Sequence, residues 1–136
     1  MNTRKGFTLV ELLVVIAILA ILATVSVVGY TSFIAGADEQ ATISEAEQAK
    51  SIIDGGVVLD DYVKVTSTQW VKYDAKTKLY SIATSAPTAT GVTVHDATSD
   101  WTLKGTLSED NGVLYYTNNG YKVNLNTLVA EPVPSV

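Results

Sequence analysis

Glu11 has the most unusual chemical setting in this sequence, because it is the only charged residue in the apolar run from residue 7 to residue 28. A carboxylate inside a hydrocarbon layer costs about 2.5–3.5 kcal/mol on insertion scales, and less where it can reach the interface. Two basic residues, Arg4 and Lys5, stand just before the run. The position of Glu11 therefore indicates either an acid tolerated at a membrane interface or one that pairs with a cation.

Other residues suited to catalysis or metal binding are scarce. The chain has no cysteine and one histidine, His95, which excludes thiol nucleophiles, disulfides and Cys/His metal clusters. No Gly-x-Ser-x-Gly motif is present, and its absence argues against a serine hydrolase built around His95. We expect no enzymatic activity, no catalytic residues, no cofactor and no bound metal. Four acids fit solvated turns better than a calcium site: Asp96, Asp100, Glu109 and Asp110.

The apolar run has the length of a membrane-spanning helix. Its 22 residues would form a helix roughly 33 Å long, which matches a hydrocarbon core of about 30 Å. The basic residues before it predict a cytoplasmic N-terminus, with the remainder of the chain outside. The run exceeds the apolar core of a cleaved secretory signal and lacks a clear Ala-x-Ala site, so we expect it to be retained.

Composition limits what the remainder can be. The chain has 136 residues, of which 47% are hydrophobic and 17% are charged, a balance that excludes an intrinsically disordered protein. Its length suits one domain with an anchor. The formal net charge of -5 gives no reason to expect specific nucleic-acid binding.

After the apolar run the pattern predicts a longer helix and then a sheet. Residues 30–54 favour helix and carry an apolar stripe at Ile43, Ala46, Ala49 and Ile53, with Gly55-Gly56 as the expected stop. Period-two patterns follow, and Asn118-Asn119-Gly120 is a strong hairpin signal. The predicted fold is α+β: a long N-terminal helix, apolar and then amphipathic, on a small antiparallel sheet. The predicted strands are 70–73, 79–82, 101–107, 113–117 and 121–125, with an edge strand at 92–94 and an extended or disordered tail from residue 129.

Residues 5–19, KGFTLVELLVVIAIL, resemble the N-terminus of type IV pilins and type II secretion pseudopilins. The shared features are a short basic leader, Gly-Phe, a Glu four residues after the Phe, and an uninterrupted apolar helix. The resemblance covers roughly residues 4–24 and implies that a prepilin peptidase cuts after Gly6 and methylates the new amino terminus at Phe7. Many type IV pilins have a proline in the second half of the apolar stretch, whereas the first proline here is Pro87.

The resemblance also gives Glu11 a partner, because leader removal creates an ammonium group at Phe7. That group can approach Glu11 within one helix or meet the carboxylate of a neighbouring subunit. An unpaired buried charge is strongly unfavourable, so the pair would set the register of assembly. The implied organisation is a leader at 1–6, an N-terminal helix at 7–54 with its spanning part at 7–28, and a β-rich head at 55–136.

The expected function is that of a structural subunit of a type IV pilus or similar surface filament. The alternatives are a pseudopilin of a type II secretion or competence system and a single-pass anchored extracellular binding module. The expected partners are copies of the chain itself, prepilin peptidase, an inner-membrane assembly platform and minor pilins. The expected location is the bacterial cytoplasmic membrane for the precursor and the cell surface for the filament.

Overall fold

The computed structural model describes residues 5–134. One helix, α1, runs over Leu9–Leu59 and is followed by eight strands. The chain forms two compact units that divide between Ala37 and Asp38. The first unit contains the apolar part of α1, and the second contains the rest of α1 together with all the strands. The predicted α+β class is confirmed.

Sheet A has the strand order β3-β2-β1-β4. Its hairpin β2–β3 is antiparallel, as the sequence predicts, whereas β4 lies parallel to β1. This parallel pair differs from the wholly antiparallel sheet that we predicted, because the connection after β3 carries the chain to the far edge of the sheet. The strands are β1 (Tyr62–Thr66), β2 (Gln69–Asp74), β3 (Leu79–Ala83) and β4 (Val94–Asp96).

Sheet B is antiparallel throughout, with the order β5-β6-β7-β8. Two-residue turns join its first three strands, and Asn111, Gly112, Asn119 and Gly120 all have positive φ, as type I′ hairpins require. The tail of the described chain adds the edge strand β8, so it is ordered on the sheet. The strands are β5 (Thr106–Asp110), β6 (Val113–Asn118), β7 (Tyr121–Asn124) and β8 (Ala130–Pro132).

Two predicted boundaries in the second unit are wrong. Residues 101–104 are not a strand, because the amide of Trp101 continues a short 3-10 turn by donating to the Ala97 carbonyl. The strand β5 instead begins at Thr106 and runs to Asp110, beyond the predicted strand end at residue 107. The edge strand predicted at 92–94 is β4, which begins at Val94.

The predicted stop of α1 at Gly55-Gly56 is also wrong, since the helix continues to Leu59. Gly56 is buried, and a Cβ built there would lie 2.4 Å from Val63 Cγ2 and 3.2 Å from His95 Cδ2. Glycine at this position lets strands of sheet A approach the helix closely. The absence of a side chain therefore serves packing here rather than helix termination.

The core lies between the second half of α1 and the two sheets. Ala46, Ala49 and Ile53, three of the four predicted stripe residues, are fully buried on the helix, and Ile43 packs against the core. The predicted stripe is therefore confirmed. The sheets contribute Val63, Val65, Val71, Leu107, Leu114, Tyr116 and Val123.

A polar cluster joins α1 to sheet B beside this core. The Glu45 carboxylate accepts hydrogen bonds from the Tyr116 hydroxyl at 2.8 Å and from Asn118 Nδ2 at 2.7 Å. The Thr42 hydroxyl, fully buried, donates to the Asp38 carbonyl within the helix and contacts the Asn118 carbonyl at 3.3 Å. Every buried side-chain polar atom among the described residues has a hydrogen-bond partner.

Candidate processing and assembly site at the start of the helix

The segment before α1 is open to solvent. Residues 5–8 lie outside the helix and are exposed, and the side chain of Phe7 is 93% exposed. No heavy atom outside Gly6 and its two neighbours in the chain lies within 4 Å of a Cβ built on Gly6. A peptidase could thus reach the Gly6–Phe7 peptide bond, since exposed segments without regular structure are the usual sites of proteolysis. Lys5 is exposed in the same segment, whereas Arg4 lies outside the described residues.

Thr8 ends this segment and caps α1. Its carbonyl accepts the first bond of the helix from the Leu12 amide at 3.2 Å. Its side-chain Oγ1 accepts from the Glu11 amide at 3.2 Å. A residue whose carbonyl and side chain both accept from the first helical amides is an N-cap, so Thr8 fixes where the helix begins.

Glu11 completes a reciprocal arrangement with Thr8. Its carboxylate Oε2 accepts a hydrogen bond from the Thr8 amide at 2.9 Å. A Thr at the N-cap and a Glu three residues later form a capping box, in which each side chain bonds to the other residue's amide. The carboxylate is therefore turned back toward the segment that contains the Gly6–Phe7 bond. It also lies in the first turn of the helix, where the positive end of the helix dipole favours a negative charge.

From the sequence we predicted Glu11, Gly6 and Phe7 as site residues, but not Thr8. The signal was available in the spacing Thr-x-x-Glu ahead of an apolar run, a helix-start pattern. The structure brings Thr8 and Glu11 together through two hydrogen bonds. No ammonium group is present at Phe7 in the uncleaved chain, so the predicted Phe7–Glu11 pair remains a prediction.

The helix that follows leaves its apolar side chains uncovered. All of residues 9–37 are exposed, and an 18-residue window of α1 has a mean hydropathy of 3.0 with none of it buried. By length and composition this helix can cross a membrane. Isolated exposed apolar residues are ordinary on proteins, but a continuous apolar surface indicates an interface with lipid or with other proteins.

Three hydroxyl groups in the second half of the exposed apolar stretch, residues 9–37, donate hydrogen bonds to carbonyl groups of the same helix. Thr24 Oγ1 donates to the Ile21 carbonyl at 2.7 Å, Ser26 Oγ to the Leu22 carbonyl at 2.7 Å and Thr31 Oγ1 to the Val28 carbonyl at 3.0 Å. These bonds satisfy the hydroxyl groups without a partner outside the helix. These three hydroxyl groups are thus compatible with an apolar environment.

The single histidine lies in sheet A, far along the chain from the capping box. His95 Nδ1 is 3.7 Å from Asp60 Oδ2. In the described part of the chain no group of three His, Cys, Asp or Glu side chains is arranged to hold a metal ion. Of the acids considered for calcium, Asp96 caps a 3-10 turn by accepting from Thr98, and Glu109 accepts from the Gly112 amide.

Comparison with known proteins supports the importance of the helix start. Residues 1–27 match the family described as the prokaryotic N-terminal methylation motif. No solved structure matches the chain. The matched residues include the predicted leader, the Gly6–Phe7 bond at which cleavage is predicted, the capping box and residues 12–27 of the apolar helix. The motif is the N-terminal signal of type IV pilin-like and pseudopilin proteins, and this chain carries it at residues 1–27.

Proposed function

We propose that the chain is a structural subunit of a type IV pilus or similar surface filament and polymerises through the apolar part of α1. The exposed apolar surface of residues 9–37, joined to the methylation motif at residues 1–27, is the observation that carries the proposal. Such a surface is stable in lipid before assembly. After extraction from lipid it is stabilised by contact with other apolar helices, at about 25 cal/mol per Å² of apolar area removed from water.

In this proposal, removal of residues 1–6 precedes assembly. Prepilin peptidase cuts after Gly6 with Lys5 and Arg4 on the cytoplasmic side, and Phe7 then receives the methyl group. The precursor is held in the cytoplasmic membrane by residues 7–28 with the head, residues 55–136, outside. The segment between them belongs to the same helix, α1.

Glu11 is proposed to set the register of the growing filament. Its carboxylate already lies within 2.9 Å of the Thr8 amide, one residue from the future amino terminus. A subunit whose Glu11 meets an ammonium group, its own or a neighbour's, carries no unpaired charge into the filament core. A misplaced subunit leaves that charge unpaired, which is strongly unfavourable away from water.

Mass spectrometry of the mature protein tests processing. A mature N-terminus at Phe7 with one added methyl group is expected, and an intact Met1 in a cell with active peptidase would favour a single-pass anchored binding module instead. Electron microscopy of sheared surface material, with the subunit identified by peptide mapping, separates long pili from the short filaments expected of a secretion or competence pseudopilin.

A variant pair tests the role of Glu11. Glu11→Gln removes the charge but keeps an oxygen that can cap the helix, since Gln also serves in a capping box. We expect normal processing and membrane insertion but loss of filaments. Glu39→Gln is the matched control, because it removes one acid from the same helix outside the apolar segment and should assemble normally. Normal filaments from Glu11→Gln would refute the proposed role.

A further inference from the structure

We propose that Thr8 is a positioning residue for leader removal. As the N-cap it prevents α1 from extending toward the N-terminus, so the Gly6–Phe7 bond stays outside the helix where the peptidase can bind it. The inference rests on the proposed function, because it concerns the same cleavage between Gly6 and Phe7. It assigns to Thr8 a role separate from the charge of Glu11.

The hydrogen bonds at the helix start carry the argument. Thr8 accepts from both the Leu12 and Glu11 amides, and its own amide donates to Glu11. All three bonds lie on the C-terminal side of the scissile bond and hold Thr8 in the N-cap position. The first helical residue is therefore Leu9, and residues 5–8 remain outside the helix.

Hydrolysis requires that segment to be open. Water adds to the Gly6 carbonyl carbon, the C–N bond to Phe7 breaks, and the products are a Gly6 carboxylate and a Phe7 ammonium group. In a helix the same carbonyl would accept an internal hydrogen bond and the turn would surround it. A precursor with its helix extended over Gly6 is thus a poor substrate, and only the fraction with an open segment can bind.

Two residues oppose such an extension. Glycine is a poor helix former, and Gly6 contributes this effect directly at the scissile bond. Thr8 contributes the stop signal, since Ser, Thr and Gly are all acceptable N-caps whereas Val is not. Removing the cap should shift part of the population toward a helix that covers the cleavage site.

The test measures the initial rate of cleavage of the full-length precursor in detergent micelles by purified prepilin peptidase. Thr8→Val has nearly the same shape as threonine but lacks the hydroxyl group. Losing a cap worth about 1 kcal/mol shifts the equilibrium toward the extended helix about fivefold, so at precursor concentrations below KM we expect cleavage to be slower by up to about fivefold. The change should appear as a higher KM with unchanged kcat, because only the competent fraction of the precursor falls.

Two further substitutions distinguish a helix stop from direct recognition of the hydroxyl group. Thr8→Ser and Thr8→Gly both remain good N-caps, so both should be cleaved at close to the wild-type rate. If Thr8→Val is cleaved as fast as wild type, the inference is wrong. It is also wrong if Ser restores the rate and Gly does not, since the peptidase would then contact the hydroxyl group itself.

The cleavage experiment distinguishes a failure of this inference from a failure of the proposed function. If the wild-type precursor is not cleaved at all, the proposed processing fails together with this inference. If wild type and Thr8→Val are cleaved equally fast and filaments form, the proposed function stands and only the role of Thr8 is lost.

Discussion

The hydroxyl group of Tyr116 donates a hydrogen bond to the Glu45 carboxylate at 2.8 Å and accepts one from the Gly105 amide at 2.8 Å. Burial, with Glu45 as a further cause, raises the pKa of Tyr116 to about 12. The hydroxyl group therefore stays protonated at any physiological pH and acts as a permanent donor. One side chain of sheet B thus joins the helix to the segment before β5.

Replacing this hydroxyl group tests its contribution to stability. Tyr116→Phe removes a donor to a carboxylate and leaves the Gly105 amide without its acceptor, so we expect the free energy of unfolding to fall by about 1–3 kcal/mol. Urea unfolding of the full-length chain in detergent measures the change. Tyr115→Phe, at the next residue on the other face of β6, should change stability by less than about 0.5 kcal/mol, and an equal loss in both variants would contradict the assignment.

The stability of the second unit should depend on the ionisation of Glu45. Its pKa is held below the usual 4.5 by hydrogen bonds from Asn118 and Tyr116 and by the nearby Lys104 ammonium group, against an opposing effect of burial. A lowered pKa in the folded state means that the stabilisation is present above the usual pKa and is lost as the pH falls through the folded value. Acid should thus weaken this helix–sheet contact.

Glu45→Gln is expected to flatten the fall in unfolding free energy between about pH 5 and pH 2. Part of the slope remains, because hydrogen bonds from Lys76 and Thr77 lower the pKa of Asp74, and bonds from Thr98 lower that of Asp96. Urea unfolding at a series of pH values measures the slope. A wild-type slope in the Gln variant would show that Glu45 does not carry this dependence.

The two adjacent glycines near the end of α1 should respond to alanine in opposite directions. Gly56→Ala places a methyl group 2.4 Å from Val63 Cγ2, and we expect a loss of about 1–3 kcal/mol from overpacking. Apart from its chain neighbours and the adjacent helix backbone, no heavy atom lies within 4 Å of a Cβ on Gly55, so Gly55→Ala should stabilise the helix by up to about 1 kcal/mol. Thermal unfolding of the two variants compares them, and destabilisation by both would contradict this packing.

Small residues on the buried face of α1 set how closely it approaches the sheets. Ala49 is fully buried, and Ala49→Leu should destabilise the chain by about 1–3 kcal/mol because the added atoms have no space. Ala41 is exposed on the same helix, so Ala41→Leu is the matched control and should be nearly neutral. Similar unfolding midpoints for the two variants would argue against a tight helix–sheet interface.

Local patterns predicted the parts of the fold that local chemistry determines. The Asn118-Asn119-Gly120 hairpin formed as expected, because the I′ turn needs positive φ at two adjacent residues and Asn and Gly adopt it readily. The end of α1 could not be predicted in this way. Gly56 would end an isolated helix, but here it is retained in the helix because residues of sheet A occupy the space beside it.

The parallel pairing of β1 with β4 depends on contacts between distant residues. Tyr62 pairs with Val94 and Lys64 with Asp96, and Lys64 Nζ lies 3.3 Å from Asp96 Oδ2. The Asp61 carboxylate accepts from the Thr93 amide at 3.0 Å. No pattern within a single segment indicates such a partner, so the sequence placed the edge strand two residues too early and left its neighbour undetermined.

At the candidate site the sequence pointed to Glu11 but not to Thr8 or to the direction of the Glu11 carboxylate. Glu11 can be recognised from the sequence alone, because a carboxylate within an apolar run carries a large energetic penalty. The direction of its carboxylate depends on Thr8, whose role appears only when the capping pattern is considered together with the helix start.

The connection between β3 and β4 has room to vary. It joins the two opposite edges of sheet A, a width of about 15 Å for four strands, while the ten residues between Ala83 and Val94 can extend to roughly 33 Å. Both ends of the loop are fixed by strand pairing, and the loop is already longer than the distance it spans. Extra residues would therefore lengthen it at little entropic cost. Related chains could therefore present different chemical groups to their surroundings from this loop while the sheet beneath it stays the same.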